Sequence, residues 1–355
     1  MAPASPAPTV SVLMAAYNGA RLLPETLGSL LAQTFGDWEL VVVDDASTDE
    51  TAALLAAVPD ARVRLIRAPE NGGVVRARNL AAAHARGRYW AALDQDDLAR
   101  PGRFAAQVSY LDAHPDTALL GTAAAILSDG RVRPSPLPPT TTPDFVEYLL
   151  HLRNPLVWSS VMIRAEAARQ LDPFIRPDYR YADDYDLHHR LMAHGRVARL
   201  DEELTVYRYH AAQASQRHID TMVGNAVKVA TEAYRPIFGP EAPERALLVA
   251  RHVMNGDAVP DRGTLQRLGE TIMAVQAHFL TIRRPDPESQ KLIRWETARL
   301  WGRIGRQGQR SGALAIADRF AVRPDHLGMG YANAHDLMLS GLVGGARALR
   351  RKATG

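Results

Sequence analysis

Over its first hundred residues the chain alternates apolar runs of strand length with stretches whose apolar residues recur at helical spacing. Thr9 to Ala16 is β-branched and apolar without clean alternation, as expected for a strand covered on both faces, and Tyr17-Asn18-Gly19 turns the chain. Leu23, Leu27, Leu30 and Leu31 place a helix between Leu22 and Gln33, and Glu39 to Val43 reads as a second buried strand ending in Asp44-Asp45. Strand, helix, strand makes a parallel crossover. Ser47 and Glu50 have the spacing of a capping box that opens a helix from Thr51 to Val58. Arg62 to Arg67 is a third strand, Asn71-Gly72-Gly73 a turn, and Val75 to Ala85 a helix closed by Gly87. The strand Arg88 to Leu93 then runs into Asp94-Gln-Asp96-Asp97. Four strands alternating with three helices predict a Rossmann-like, mostly parallel α/β sheet flanked by helices.

Further on, Pro101 to His114 is amphipathic, Ala118 to Leu127 reads as a strand, and the proline-rich Ser128 to Thr142 as a linker or lid loop without regular structure. Asn154 to Arg164 reads as a strand entered from a polar turn, a helix starts near Asp184 with Leu187 and Leu191 facing inward, and Val197 to Leu200 and Leu204 to Tyr209 read as two short strands. From about His218 the pattern is helical, with breaks at Gly239-Pro240, Asn255 to Pro260, Pro285 to Pro287, Gly305 to Gly312 and Arg323-Pro324. The predicted organisation is a disordered N-terminus over 1–8, an α/β domain over 9–216 and an α-helical extension over 217–355.

Composition narrows this picture. With 355 residues, 46% hydrophobic and 23% charged, the sequence is that of a globular protein able to bury a sizeable core. It has no Cys, so a metal must sit on oxygen or imidazole, and a reducing cytoplasm is the expected setting. No apolar stretch suits a membrane span or signal peptide. The net charge of +3 is uneven: residues 211–355 hold 21 Lys and Arg against 13 Asp and Glu, which leaves 1–210 at −5. An acidic first half disfavours nucleic acid as partner, while the basic tail suits an anionic membrane face, an acidic polymer or self-association as well as ordinary solvated arginines.

The candidate chemistry sits where strands end. Asp94, Asp96 and Asp97 are three carboxylates within four residues, which need either hydration, as in a plain acidic turn, or a hard cation such as Mg²⁺ or Mn²⁺. A helix-loop-helix calcium site is excluded, because counting from Asp94 puts Leu98 at the sixth position and Ala105 at the twelfth. The Gly-x-Gly-x-x-Gly fingerprint is absent after the first strand, where Ala15-Ala16-Tyr17-Asn18-Gly19 stands, and there is no P-loop; hydride transfer is disfavoured and phosphate would be gripped through metal. Together with Asp44-Asp45, the cluster marks a nucleotide crevice at the carboxyl ends of the strands. Tyr181-Ala-Asp183-Asp184-Tyr-Asp186 is a second acidic centre, although acidic residues also stabilise a helix start without chemistry.

Val-Ser-Val-Leu-Met-Ala-Ala-Tyr-Asn-Gly, Trp-Glu-Leu-Val-Val-Val-Asp-Asp-Ala-Ser-Thr-Asp-Glu-Thr, Asn-x-Gly-x-x-x-Ala-Arg-Asn and Leu-Asp-x-Asp-Asp, in this order, resemble the family 2 glycosyltransferases of GT-A fold over about Val10 to Ser215. The resemblance implies a metal-assisted, inverting transfer from a sugar nucleotide, UDP-sugar favoured, to a glycan or lipid-linked hydroxyl acceptor in cell-surface polysaccharide or glycoconjugate synthesis. It implies that Ala15 and Tyr17 border the nucleotide, that Asp45 binds the base, and that Arg78 lies near base or diphosphate. Asp94 and Asp96 fall at the ribose and diphosphate, Asp97 at the metal, and His210, in Tyr207-Arg208-Tyr209-His210, near diphosphate and metal. Asp184 is implied as general base beside Asp183, where the family usually has Glu, and the Asn154 to Arg164 segment, with Trp158, as bordering the sugars.

Read without the family, Asp44 and Asp49 serve as turn and helix-start residues, Arg76 as an exposed charge, Trp158 as packing and His188, His189 and His194 as surface or packing groups. Two rivals remain. A sugar-phosphate nucleotidyltransferase would want Lys or Arg in the loop after the first strand, which Ala15 to Gly19 lacks, and a non-catalytic nucleotide-sugar-binding scaffold would be favoured by loss of Asp97 or Asp184, both present. The expected setting is the cytoplasm, with the basic helices suited to the inner membrane face or to a homo-oligomer.

Overall fold

In the computed structural model, residues 7–210, 213, 217–322 and 338–347 are described. The strands are β1 (Val10–Ala16), β2 (Trp38–Asp44), β3 (Val63–Arg67), β4 (Tyr89–Ala92), β5 (Leu98–Ala99), β6 (Thr117–Ser128), β7 (Arg131–Arg133), β8 (Met162–Arg164) and β9 (Arg196–Arg208). The helices are α1 (Leu23–Leu31), α2 (Thr51–Ala56), α3 (Val74–His84), α4 (Arg103–Ala113), α5 (Pro143–Leu150), α6 (Ala165–Ala168), α7 (Asp183–Leu191), α8 (Ile219–Phe238), α9 (Ala242–Val249), α10 (Arg262–Arg283), α11 (Pro287–Arg310) and α12 (Ile316–Ala321).

One sheet runs in the order β3-β2-β1-β4-β8-β6-β9-β5, with β7 paired to β6. Its first four strands are parallel, β6 and β9 are also parallel, and β8, β5 and β7 pair antiparallel to their neighbours. This is a mixed α/β sheet flanked by helices. β1 and β2 are buried throughout apart from a partly exposed Ala15, which is why they read as unbroken apolar runs. Val12, Met14, Leu40, Val42, Tyr89, Ala91 and Met162 meet Leu23, Leu27, Leu30, Phe104 and Leu111 in one core. Parallel pairing puts the carboxyl ends of β1, β2 and β4 on the same edge: Ala16 is opposite Asp44, and Leu93 N donates to Leu13 O at 3.2 Å. That edge is the ligand crevice of an open α/β sheet.

A buried ion network fastens the opposite end. Ser11 Oγ donates to Glu39 Oε1 at 2.7 Å, and Arg64 and Arg86 reach Glu39 Oε2 at 2.8 and 2.7 Å. Burial opposes the charge on Glu39, but Arg86, Ser11 and Arg64 outweigh it and hold the carboxyl down at about 2. Gly87 passes so close that a Cβ would stand 2.5 Å from Ser11 N.

Local signals misplaced some elements. Ser47 does not cap α2: its hydroxyl accepts from Asn18 N at 3.0 Å, and Glu50 occupies the N-cap position without a side-chain bond. The segment 128–142 contains β7, which pairs with the end of β6, and β8 begins only at Met162, because Trp158–Ser160 forms a 3₁₀ turn. β9 is one strand of 13 residues whose register slips between Thr122 and Ala124 of β6, so the polar interruption at 201–203 is irregular pairing and not a loop. Helix α11 continues through Gly305 and Gly308 to Arg310, and the expected break comes only after it. Residues 1–6 and the expected break at Arg323-Pro324 lie outside the described residues.

The chain divides into two compact units, one of residues 1–147 and 155–222, the other of 148–154 and 223–355. The second is helical. Asp261 and Asp286 cap α10 and α11 by accepting from Thr264 N and Ser289 N at 2.7 and 3.0 Å, and Leu265, Ile272, Phe279, Ile293, Leu300 and Trp301 form its interior. Tyr234 Oη donates to His151 O at 2.6 Å, tying 148–154 into this unit.

Candidate active site

The crevice is built outward from Arg78. The turn Asn71 to Gly73 starts α3, and one helical turn in, Arg78 lies buried with Nη2 2.7 Å from Asp94 Oδ1 and Nη1 2.8 Å from Asp183 Oδ2. Its guanidinium carbon stands 4.3 Å from the ring centre of Trp158. Burial opposes the guanidinium charge, but Asp94, Asp183 and Asp184 overcome it and raise the pKa. One cation thereby joins the two acidic centres that are 89 residues apart in sequence, Asp94 and Asp183.

On one side lies the carboxylate cluster. Asp94, Asp96 and Asp97 each offer an oxygen within 4.8 Å of the others. Asp97 is almost fully buried; Oδ1 accepts from Arg208 N at 2.8 Å, and Ser159 gives it a hydrogen bond while also accepting from Asp94 N at 2.9 Å. Burial first, then Asp96 and Asp94, push Asp97 well above the usual carboxylate range; burial and Asp94 push Asp96 up in the same sense, against the pull of His210. His210 Nε2 meets Asp96 Oδ2 at 2.9 Å, and its Nδ1 is buried without a hydrogen-bond partner among the described residues. A tight oxygen set with excess negative charge, next to an imidazole nitrogen lacking a partner, fits a hard divalent cation. Beneath it Arg103 on α4 is fully buried, with Nη2 3.0 Å from Ala92 O and from Val161 O, and Gln107 Nε2 binds Leu120 O and Ser160 O at 2.9 Å. This pair braces the end of β4 that leads to Asp94 and the 3₁₀ turn that carries Ser159. Burial lowers the Arg103 pKa and Asp97 offsets part of that.

On the other side, α7 presents Asp183 and Asp184. Asp183 is buried and committed, its Oδ1 accepting from Tyr181 N at 3.0 Å and its Oδ2 from Arg78. Tyr181 adopts φ 70°, a costly value for a bulky residue, and its ring stacks on His218 with centres 4.3 Å apart. Asp184 Oδ1 accepts from Tyr185 N at 2.7 Å; its surroundings and Asp183 push its pKa up to about 7, against the pull of that amide and of Arg78. His188 is fully buried, and burial holds it neutral by lowering its pKa to about 3, in keeping with a packing role.

The remaining site residues line the ends of β1 and β2. Ala15 is the penultimate residue of β1, partly exposed, and Tyr17 follows it with 45% of its surface exposed. Asp45 is buried, and both its oxygens are engaged, Oδ1 by Gly72 N at 2.9 Å and Oδ2 by Gly73 N at 2.8 Å. It therefore shapes the turn that starts α3, and a base can use only its remaining lone pairs. Trp158 is 5% exposed and packs under Arg78, so it offers no open face to a sugar. Sequence reasoning missed Gln95, Ser159, Arg208 and Arg103. Gln95 Oε1 accepts from Tyr17 N at 2.9 Å and Nε2 donates to Tyr17 O at 3.0 Å, fixing the backbone of the residue at the crevice. Gln95, Ser159 and Arg208 sit inside motifs already picked out, whereas Arg103 and Gln107 had no signal beyond a helical i, i+4 spacing.

Comparison with known proteins gives the chain a family and a fold. The family model described as Glycosyl transferase family 2 matches residues 11–170. A putative glycosyltransferase, EpsE of Bacillus subtilis, is 32% identical over 228 residues, spanning 62% of this chain and 81% of the relative. Residues 1–349 of Staphylococcus aureus TarS, crystallised with UDP-GlcNAc, superpose with TM-score 0.52 at 18% identity, over 97% of this chain and 92% of that one. The mannosyltransferase PcManGT of Pyrobaculum calidifontis, solved with GDP-Man and Mn²⁺, does so with TM-score 0.51 at 20% identity, over 95% and 86%.

Proposed function

The chain belongs to glycosyl transferase family 2, and from that premise we propose that it is an inverting, divalent-metal-dependent transferase that moves a sugar from a nucleoside diphosphate, UDP favoured, to a hydroxyl of a glycan or lipid-linked acceptor. The observation that carries this reading is the Arg78 bridge, which sets a cation-type carboxylate cluster and a carboxylate of elevated pKa on the two sides of one guanidinium. Same-fold proteins solved with UDP-GlcNAc and with GDP-Man and Mn²⁺ support a nucleotide-sugar donor.

Asp97 and Asp96, with His210, are the residues that would hold the metal. When bound, Mg²⁺ or Mn²⁺ neutralises charge that develops on the departing diphosphate. Ala15 and Tyr17 border the nucleotide, with Gln95 holding the Tyr17 backbone, and Asp45 supports the same pocket through the Asn71 to Gly73 turn. Asp184 takes the proton of the acceptor hydroxyl as that oxygen attacks the anomeric carbon, and a pKa of about 7 suits a base that must be ionised yet proton-hungry near neutrality. A single displacement with no enzyme nucleophile inverts the anomeric centre. Asp183 keeps Arg78 and the start of α7 in position.

The test is a screen of UDP- and GDP-sugars for Mn²⁺-dependent thermal stabilisation, followed by release of the nucleoside diphosphate on adding glycan or lipid-linked acceptors. Stabilisation by one donor that vanishes with chelator is expected. Absence of metal-dependent stabilisation by any nucleotide sugar would refute the reading.

A further inference from the structure

The end of β9 reaches the whole carboxylate loop, and we propose that Arg208 is the positioning residue that keeps Asp94 to Asp97 in the shape a divalent cation requires. The inference rests on the metal-dependent transferase reading and adds to it a residue that acts through Asp96 and Asp97. Leu98 and Ala99 of β5 pair antiparallel with Val206 and Thr205 of β9, and continuing that register by two residues sets Asp96 opposite Arg208. Three bonds follow. Arg208 N donates to Asp97 Oδ1 at 2.8 Å, Nε to the Asp96 carbonyl oxygen at 2.8 Å, and Nη2 to Glu25 Oε2 on α1 at 2.5 Å. His210, two residues on, meets the Asp96 carboxylate at 2.9 Å, so one short segment holds Asp96 by both its backbone and its side chain. Thr26 Oγ1 donates to Gln95 O at 2.9 Å, so α1 grips the loop directly through Thr26 and by way of Arg208 through Glu25.

The loop needs such a brace. Asp94, Asp96 and Asp97 offer oxygens within 4.8 Å of one another, and their mutual repulsion tends to spread them. Inside the loop Asp97 N reaches Asp94 O only at 3.4 Å, a weak bond, so the hold comes from α1 and β9. A hard cation binds well when its oxygens already stand at the required separations, and groups that orient metal ligands from behind are typically worth about 10–100-fold in affinity. The charge of the guanidinium has a separate partner: Nη2 pairs with the half-exposed Glu25, whereas Nε serves a neutral carbonyl. The two roles of this side chain predict opposite signs. As a cation Arg208 repels Mn²⁺ and its removal would tighten binding, whereas as a brace its removal weakens it.

The experiment is Mn²⁺ titration of the full chain without donor or acceptor, read from the paramagnetic resonance signal of unbound Mn²⁺, with the melting temperature of each variant measured in chelator. Arg208→Met keeps the apolar stem and loses every side-chain donor, and its Mn²⁺ affinity should fall by about tenfold or more. Arg208→Gln places an amide nitrogen as far along the side chain as Nε, so it should restore affinity to within about threefold of wild type although it too lacks the charge. Glu25→Gln cuts the ion pair, leaves the bond to Asp96 and should likewise stay within about threefold. An affinity in Arg208→Met equal to or tighter than wild type overturns the proposal. So does an equal loss in the Met and Gln variants, because a merely structural role would lower the melting temperature and the affinity of both alike. A wild-type chain that binds no Mn²⁺ sinks the metal reading of the site together with this inference, whereas wild-type binding that Arg208→Met matches removes Arg208 alone.

Discussion

Replacing Asp184 by Asn keeps size and the hydrogen bond accepted from Tyr185 N but removes the basic oxygen. A base with pKa about 7 is ionised in about one molecule in eleven at pH 6 and in about ten of eleven at pH 8. With metal and donor saturating, kcat/KM for the acceptor should therefore rise about tenfold from pH 6 to 8 in the wild type. In Asp184→Asn the rate should fall by about 10² to 10⁴ and the rising limb should vanish. The folded state raises this pKa from 3.8, so the fold favours the protonated carboxyl: the stability effect is absent below about pH 4, grows unfavourable as pH rises towards 7, and is constant above. The full shift corresponds to about 4 kcal/mol, which partial exposure and sharing of charge with Asp183 and Arg78 reduce to about 1–2 kcal/mol. The Asn variant should thus lose activity while its Tm at pH 8 holds or rises by a few degrees. Transfer rates over pH 6–8, with donor affinity by calorimetry and Tm in parallel, decide this. A variant transferring at near wild-type rate refutes Asp184 as base; if Asp183→Asn is then dead, the base is its neighbour, and if both stay active the proposed chemistry fails.

Asp97→Asn removes one anionic ligand from the cluster and should weaken Mn²⁺-dependent binding of a UDP-sugar by at least about tenfold in calorimetry; equal affinity in both proteins would count against the site. Arg78→Lys cannot reach Asp94 and Asp183 together, so both donor affinity and Tm should fall, and unchanged donor binding would remove Arg78 from its central place. Gly19→Ala puts a Cβ 2.1 Å from Gln95 Oε1; it should break the clamp on Tyr17 and raise the donor KM more than it lowers kcat, which steady-state kinetics would read. Glu39→Gln should cost about 2 kcal/mol in urea unfolding at pH 7. Because the folded carboxyl titrates at about 2 instead of 4.5, its contribution is complete above about pH 4.5 and lost as pH falls towards 2, so the gap between variant and wild type should narrow over that range.

The sequence by itself determined the parallel half of the sheet, its crossover helices and the carboxylates at strand ends. Buried strands are apolar throughout, helices carry their own period, and both are properties of a few consecutive residues. It also determined that Asp94, Asp96 and Asp97 would crowd, since they are covalent neighbours. Only the tertiary structure decided what each polar group would bind. Ser47 had the spacing of a cap, yet its hydroxyl serves Asn18; Asp45 was open to a base, yet Gly72 and Gly73 engage both oxygens; Trp158 was a candidate platform, yet it lies under Arg78. The two strands expected between Val197 and Tyr209 became one because β6 offers a continuous partner on which irregular pairing absorbs the polar residues. Arg78 joined Asp94 to Asp183 across 89 residues, and Gln95 gripped Tyr17 across 78. A hydrogen bond or ion pair is specified to a few tenths of an ångström, and that precision comes from the register of paired strands and the packing of helices against them, quantities that no local run of residues contains.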